Sequence, residues 1–268
     1  MAPKSLLPME AVQEEALKGL IQRVMESLKM GPMLDVLEEG LAVKQEVYQN
    51  ALSKRGIGKL DEEAFAGLLQ RMFSIRRNWR AILKETGSQA LREAMRELLH
   101  GRHLFDGWSD VERRIDDFIP KIKGTGSRRA VAMDLATELL HAYAPEKYIL
   151  WTRWVWDPEY SNGALACFME FVTSDAKWEE KGLGRTYREV EASVREVQGQ
   201  LERNGFGVGR PHNVDIFLAY LYADYFYKVF LATSKSLSGV FAKDGYDLVY
   251  KILGVKAART EMSLAAMD

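Results

Sequence analysis

Apolar residues recur mostly at every third or fourth position along this chain, which is the spacing of one face of an α-helix. In residues 9–29 they are Ala11, Ala16, Leu17, Leu20, Ile21, Val24 and Leu28. The strict alternation of apolar and polar residues that indicates a half-buried strand is almost absent. The pattern therefore predicts an all-α, multi-helix globular protein with nine to eleven helices.

Capping residues and glycines divide this pattern into separate helices. Asp61 precedes an apolar run as an N-cap residue, and Asn213 does the same before "VDIFLAYL". Ser109 with Glu112 three positions later has the spacing of a capping box. Helices are also expected around 152–173 and 184–203. The apolar, tyrosine-rich segment that follows Asn213 predicts a buried central helix, because Asp and Lys within it argue against a membrane span.

Composition narrows the class of protein further. The 268 residues are 47% hydrophobic and carry a net charge of −1, so the chain can form a substantial core and is not a polycation. Residues 71–130 are locally basic, with 14 Lys and Arg against 8 Asp and Glu. Cys167 is the one cysteine, and the first twenty residues lack the apolar core of a signal peptide. We expect a cytoplasmic protein, with Cys167 buried and unreactive.

The stretch "KGTGSRRA" carries the strongest functional signal. Two glycines allow a tight reversal, and backbone N–H groups at the start of the following helix attract an anion such as phosphate. The residues predicted to bind nucleic acid in this way are Lys123, Gly124, Gly126, Ser127, Arg128 and Arg129. A plain αα-hairpin with a glycine turn is the structural alternative.

The surrounding sequence "FIPKIKGTGSRRAVAMDLA" resembles the helix-hairpin-helix motif. The positions that fit the motif are Ile122, Gly124, Gly126, Ala130, Val131 and Met133. Thr125 stands where the family prefers an apolar residue, and Lys123 replaces a frequent proline. The resemblance implies close packing of two helices around Ala130 and a phosphate held by the turn.

Over about residues 60–175 the chain resembles the helix-hairpin-helix DNA glycosylase superfamily. In that family an Asp after the second helix is the catalytic carboxylate, and bifunctional members add a nucleophilic Lys after the turn. Here the corresponding positions hold Trp151 and Arg128. An indole cannot replace a carboxylate, and a guanidinium is a poor Schiff-base former. The resemblance thus implies a glycosylase-like scaffold without glycosylase chemistry.

These observations lead to a specific organisation and function. We expect an N-terminal helical segment at 1–58, a helix-hairpin-helix-like core at 59–175 and a C-terminal helical region packed on that core at 176–268. The leading hypothesis is a non-catalytic nucleic-acid-binding protein that needs no cofactor. A helical accessory protein that binds another protein, through its aromatic or N-terminal helices, is an alternative, and a homo-oligomer is compatible with either.

A metal-dependent enzyme is a further alternative. "ELLH" occurs twice and gives two Glu-x-x-His pairs, Glu97 with His100 and Glu138 with His141. Paired Glu-x-x-His motifs on a helical bundle can bind two iron or manganese ions in an oxidase-like enzyme. Only one short helix fits between the two copies, which argues against such a bundle. His100 also precedes Gly101, where a helix end by itself favours a histidine.

A group of aromatic residues allows two interpretations. Trp151, Trp154 and Trp156 lie close together in the sequence, with Arg153 among them. Stacking on unpaired bases is one interpretation. Burial in the core is the expected one, because Trp151 and Trp154 are three positions apart and can share one helical face.

Overall fold

Amphipathic helices form most of the described chain. The computed structural model describes residues 12–29, 33–101, 108–126, 129–173, 184–233 and 245–255. The first half contains α1 (Glu14–Lys29), α2 (Met33–Leu52), α3 (Lys54–Ile57), α4 (Glu62–Gln70), α5 (Trp79–Thr86) and α6 (Ser88–His100). The second half contains α7 (Trp108–Phe118), a 3₁₀ turn (Ile119–Lys121), α8 (Arg129–Tyr143), α9 (Ala164–Val172), α10 (Tyr187–Arg203), α11 (Asn213–Thr233) and α12 (Gly245–Leu253).

The all-α prediction is confirmed. Within the ranges just given there are twelve α-helices and no β-strand, and backbone pairing of the β type is limited to isolated bridges. Twelve helices exceed the nine to eleven expected, in part because short helices such as α3 carry little periodic signal. None of the helices in these ranges has the length and apolar character that crossing a bilayer requires.

Local capping explains several helix boundaries. The Asp61 side chain accepts a 2.8 Å hydrogen bond from the Ala64 N–H and starts α4, as predicted. Thr186 and Glu189 form a reciprocal capping box at α10. α7 begins at Trp108, so Ser109 lies within the helix and not at the N-cap position expected for it. The carboxylate of Glu112 instead accepts a hydrogen bond from the Arg188 N–H.

The segment before α9 was expected to be helical, but it is not. Residues 153–163 form turns, with a bridge between Asp157 and Asn162, and α9 begins only at Ala164. Gly163 has φ 119°, and a Cβ there would lie 2.7 Å from the Val155 carbonyl oxygen. This close approach of two backbone segments, rather than an apolar periodicity, determines the local path.

Two helices form the centre of the core. α8 packs against α2, α6 and α7, while α11 packs against α9, α10 and α12. Helices from all three predicted segments therefore contact one another. The segment boundaries at 58 and 175 remain predictions. The first half of α11 is buried as expected, whereas Tyr225 and Phe226, just past its middle, are exposed.

The tryptophan cluster belongs to the core. Trp151, Trp154 and Trp156 are all buried. This confirms the prediction that the three side chains pack in the core, and it argues against a role in stacking on bases. Cys167 is buried on α9, and burial raises the pKa of its thiol to about 12. The expectation of an unreactive cysteine is therefore consistent with its surroundings.

Candidate functional site

The glycine turn, described over residues 123–126, follows the 3₁₀ turn and precedes α8. Gly124 and Gly126 have φ values of 76° and 63°, a region that favours glycine. The Thr86 hydroxyl accepts a hydrogen bond from the Lys123 N–H at 2.9 Å and holds the start of the turn against the end of α5. Of the six residues predicted to bind nucleic acid, Ser127 and Arg128 lie outside the described residues.

The two glycines serve different physical purposes. A Cβ on Gly124 would lie 2.3 Å from the backbone of Ala81, so the turn can approach α5 only without a side chain. A Cβ on Gly126 would meet no atom within 4 Å, so only its backbone conformation requires glycine. Arg129 is exposed and forms a 2.6 Å ion pair with Asp116. Such surface pairs contribute little, so this guanidinium can exchange its partner for another anion.

The position that the resemblance assigns to a catalytic Asp is filled by a buried indole. Trp151 donates its indole N–H to the Trp156 carbonyl at 3.0 Å. Asp134 on α8 is a buried carboxylate beside this segment, and it accepts hydrogen bonds from the Arg153 side chain at 2.7 Å and the Arg153 N–H at 3.0 Å. Burial raises the pKa of Asp134 to about 7, and Arg153 opposes that rise.

Arg153 and Asp134 form part of an open groove on the protein surface. The groove has a volume of about 390 Å³. Its lining combines arginines and aromatic rings, and we call it the arginine groove: Phe73, Arg76, Arg77, Asn78, Asp134, Arg153, Trp154, Tyr222 and Phe226, together with Ser74, Asp157, Asn162 and Leu248.

Two neighbouring arginines dominate the charge of this groove. Arg76 stacks its guanidinium 4.0 Å from the centre of the Phe73 ring. Burial and the adjacent Arg77 guanidinium both lower the pKa of Arg76, which means that its positive charge is unfavourably placed. No carboxylate of the described residues pairs with either arginine. The groove therefore presents positive charge that an incoming anion can neutralise.

A second site lies inside the fold, where α2, α8 and the start of α11 meet. It is a cavity of about 40 Å³. Its lining includes five acidic or basic side chains, those of Lys44, Glu138, His141, His212 and Asp215, and we call these residues the buried cluster. The partly exposed Gln45 and Ala142 also line the cavity.

The orientation of His141 in the buried cluster is fixed by its neighbours. Its Nδ1 atom lies 2.8 Å from the Tyr148 carbonyl oxygen, which can only accept, so Nδ1 carries a proton. Its Nε2 atom lies 3.3 Å from Asp215 Oδ2. Burial opposes a charge on His141, but the Asp215 carboxylate outweighs burial and raises the pKa of the imidazole. Burial likewise opposes ionisation of Asp215, yet His141 and His212 together lower its pKa.

Charged partners surround these imidazoles. Burial raises the pKa of Glu138 despite Lys44 nearby and a 2.6 Å hydrogen bond from the Ser74 hydroxyl. Burial lowers the pKa of Lys44, whose ammonium donates to the Leu253 carbonyl at 2.8 Å. Burial also raises the pKa of Glu38 on α2, a carboxylate that interacts with His212.

The two predicted Glu-x-x-His pairs do not form one site. Glu138 and His141 both belong to the buried cluster. Glu97 is half exposed and forms an ion pair with Lys121, while a ring nitrogen of His100 lies 2.7 Å from the Leu52 carbonyl oxygen. Among the described residues, the single group that could hold a metal consists of His141, His212 and Asp215. The two pairs are therefore apart, because His100 lies at the end of α6 and faces α2 rather than the cavity.

Five residues of the two sites were not predicted from the sequence: Lys44, His212 and Asp215 in the buried cluster, and Arg76 and Arg77 in the arginine groove. One signal was present for His212 and Asp215, which are three positions apart, like the Glu-x-x-His pairs. The remaining three residues carried no motif. Comparison of the chain with protein-family models, with curated proteins and with solved structures finds no match. The function is therefore inferred from the structure of this chain alone.

Proposed function

We propose that this protein binds nucleic acid without cutting or modifying it. The glycine turn would hold a backbone phosphate, and the arginine groove would hold the adjacent nucleotides. The observation that carries the proposal is the pair Arg76 and Arg77, which have no carboxylate partner among the described residues and stand beside exposed aromatic surface. Cytoplasmic residence belongs to the same proposal.

The two surfaces are close enough to act on one strand. Gly124 packs against Ala81, and Arg77 lies in the turn before α5, four positions before Ala81, so the chain between them spans at most about 14 Å. A strand whose phosphate sits at the glycine turn would therefore have its neighbouring nucleotides within reach of both groove arginines. Arg129 at the start of α8 adds a third cation, which forms a surface ion pair with Asp116.

The aromatic side chains of the groove favour an unpaired strand over a duplex. Tyr222 and Phe226 stack on each other with ring centres 6.3 Å apart, and Phe226 is exposed. Exposed rings beside cations form the platforms on which single-stranded nucleic acids stack their bases. Such stacking tolerates any base, so we expect weak sequence preference.

The experiment measures binding of fluorescently labelled single-stranded and duplex oligonucleotides by anisotropy over a series of salt concentrations. We expect the single strand to bind more tightly and the affinity to fall steeply with salt. Arg77→Ala and Arg129→Ala should each weaken binding about three- to tenfold and make the salt slope shallower by about 1. Phe226→Ala should weaken single-strand binding without changing that slope.

Lys18→Ala is the matched control, because it removes an exposed cation on α1 that lines neither surface. Its affinity and salt slope should equal those of the unmodified protein. The proposal is overturned by absence of binding at about 50 mM salt. It is equally overturned by variants of Arg77 and Arg129 that bind as tightly as the control.

A further inference from the structure

We infer that His141, His212 and Asp215 form a binding site for one divalent transition-metal ion. Each of the three side chains offers one ligand atom, and these atoms lie within 4.8 Å of one another. Nε2 of His141 lies 3.3 Å from Asp215 Oδ2, and Nδ1 of His212 lies 3.8 Å from the same oxygen. Ligands about 2.1 Å from a tetrahedral metal are separated by about 3.4 Å, so the set needs only a small contraction.

His212 gives an independent indication of a ligand. The residue is buried to 3% exposure, and neither of its ring nitrogens has a hydrogen-bond partner within the part of the chain that the structure describes. Its 3.8 Å separation from Asp215 is too long for a hydrogen bond. Buried polar groups are nearly always paired, and an unpaired buried imidazole facing a carboxylate is costly. A metal ion between His212 and Asp215 would satisfy both groups.

His141 is already arranged as a metal ligand. Its Nδ1–H donates to the Tyr148 carbonyl, which leaves the Nε2 lone pair facing Asp215 when the ring is neutral. Metal-bound histidines commonly donate their other ring N–H to a backbone carbonyl in this way. Two acceptor atoms 3.3 Å apart repel each other unless a proton or a metal ion lies between them.

The surrounding charge favours a divalent cation. Two carboxylates line the cavity, those of Glu138 and Asp215, against the single ammonium of Lys44 in the same lining. Two imidazoles with one carboxylate suit zinc, iron or manganese better than magnesium or calcium, which prefer oxygen ligands. The cavity of about 40 Å³ leaves room for a water molecule at an open coordination position.

The site ties together parts of the chain that are distant in sequence. His141 lies near the end of α8, whereas His212 immediately precedes α11 and Asp215 lies in its first turn. A metal ion would therefore stabilise the folded protein by an amount that grows with the logarithm of its affinity, since the unfolded chain does not bring these residues together.

The first test is metal analysis of the untagged full chain, purified without chelator. We expect about one equivalent of zinc, iron or manganese per chain. After removal of metal with EDTA, Zn²⁺ alone should bind with a stoichiometry near one in calorimetry and raise the melting temperature, whereas Mg²⁺ should do neither. This arm uses no variant, so misfolding of a variant cannot obscure it.

Variants then assign the ligands. His212→Gln and Asp215→Asn should each weaken Zn²⁺ binding at least tenfold relative to the unmodified protein. His100→Gln is the matched control, because His100 contacts the Leu52 carbonyl outside the cluster, and it should bind Zn²⁺ normally. If the protein purifies without metal and Zn²⁺ produces neither binding heat nor a thermal shift, a proton joins His141 and Asp215 and the inference is wrong. Unchanged Zn²⁺ binding in both cluster variants would also overturn it.

Discussion

The Ser74 hydroxyl donates a 2.6 Å hydrogen bond to Glu138, and this bond joins the wall of the arginine groove to the buried cluster. Ser74 follows α4 in the chain, whereas Glu138 lies in the middle of α8. The two candidate sites therefore share one contact, although one is open to solvent and the other lies inside the fold. We therefore expect a substitution of Ser74 or of Glu138 to affect both the arginine groove and the buried cluster.

The shared bond should be measurable as a coupling energy. Ser74→Ala removes the donor to a buried carboxylate, so we expect a loss of about 1–2 kcal/mol in the free energy of unfolding. Glu138→Gln removes the charge that strengthens the bond. In a double-mutant cycle of urea unfolding, the two changes should be coupled by about 1.5 kcal/mol. Additive losses would show that the two side chains do not interact.

The two glycines of the turn should respond differently to alanine. Gly124→Ala places a Cβ 2.3 Å from the Ala81 backbone and should cost about 3 kcal/mol, because neither backbone segment can move away freely. Gly126→Ala meets no neighbouring atom and should cost about 1 kcal/mol, the strain of its positive φ alone. Urea unfolding of both variants tests this order. Equal losses would contradict the close contact with α5.

Glu191 should destabilise the protein at neutral pH. It is buried on α10, one of its carboxylate oxygens has no hydrogen-bond partner among the described residues, and burial raises its pKa to about 7 despite Arg195. Because the folded pKa exceeds the ordinary value of 4.5, the folded state holds the proton more tightly. The stability that this proton provides is complete below about pH 4.5 and is lost as the pH rises through about 7.

Glu191→Gln tests the sign of this effect. The variant should be more stable than the unmodified protein, and this difference in the free energy of unfolding should be about 1 kcal/mol larger at about pH 8 than at about pH 5. Urea unfolding at the two pH values measures it. Glu202→Gln, an exposed change on the same helix, should show no such pH-dependent gain. A gain that is equal at the two pH values would exclude ionisation of Glu191 as the cause.

Arg114 and Arg113 contact the same carboxylate but should differ in their contribution to stability. Arg114 is buried, lies 3.0 Å from Asp110, and donates to the Leu98 carbonyl and to the Tyr148 hydroxyl. Arg114→Met leaves the buried Asp110 charge without its closest cation and should cost about 3–5 kcal/mol. Arg113→Met removes a half-exposed partner at 3.2 Å and should cost less than about 1 kcal/mol. Thermal and urea unfolding of the two variants compare them directly, and similar losses would refute the assignment.

Part of the candidate site followed from sequence because it depends on local backbone. Gly124 and Gly126 have the positive φ values that a tight turn before a helix requires, and glycine is the residue that reaches them at least cost. Asp61 was likewise identifiable, since an N-cap acts on residues only three positions away. The predicted phosphate-binding role of the turn remains a prediction.

The sequence alone determined that this protein is built of helices, because a spacing of three to four residues between apolar positions is a local property of the chain. It could not show which polar residues meet in space. The burial of α8 on most sides forces Asp134 and Glu138 to find partners, and those partners, Arg153, Ser74 and Lys44, lie on other elements. Only the packing of α2, α8 and α11 separates His141 from His100 and brings it to Asp215, since such long-range contacts leave no period in the sequence.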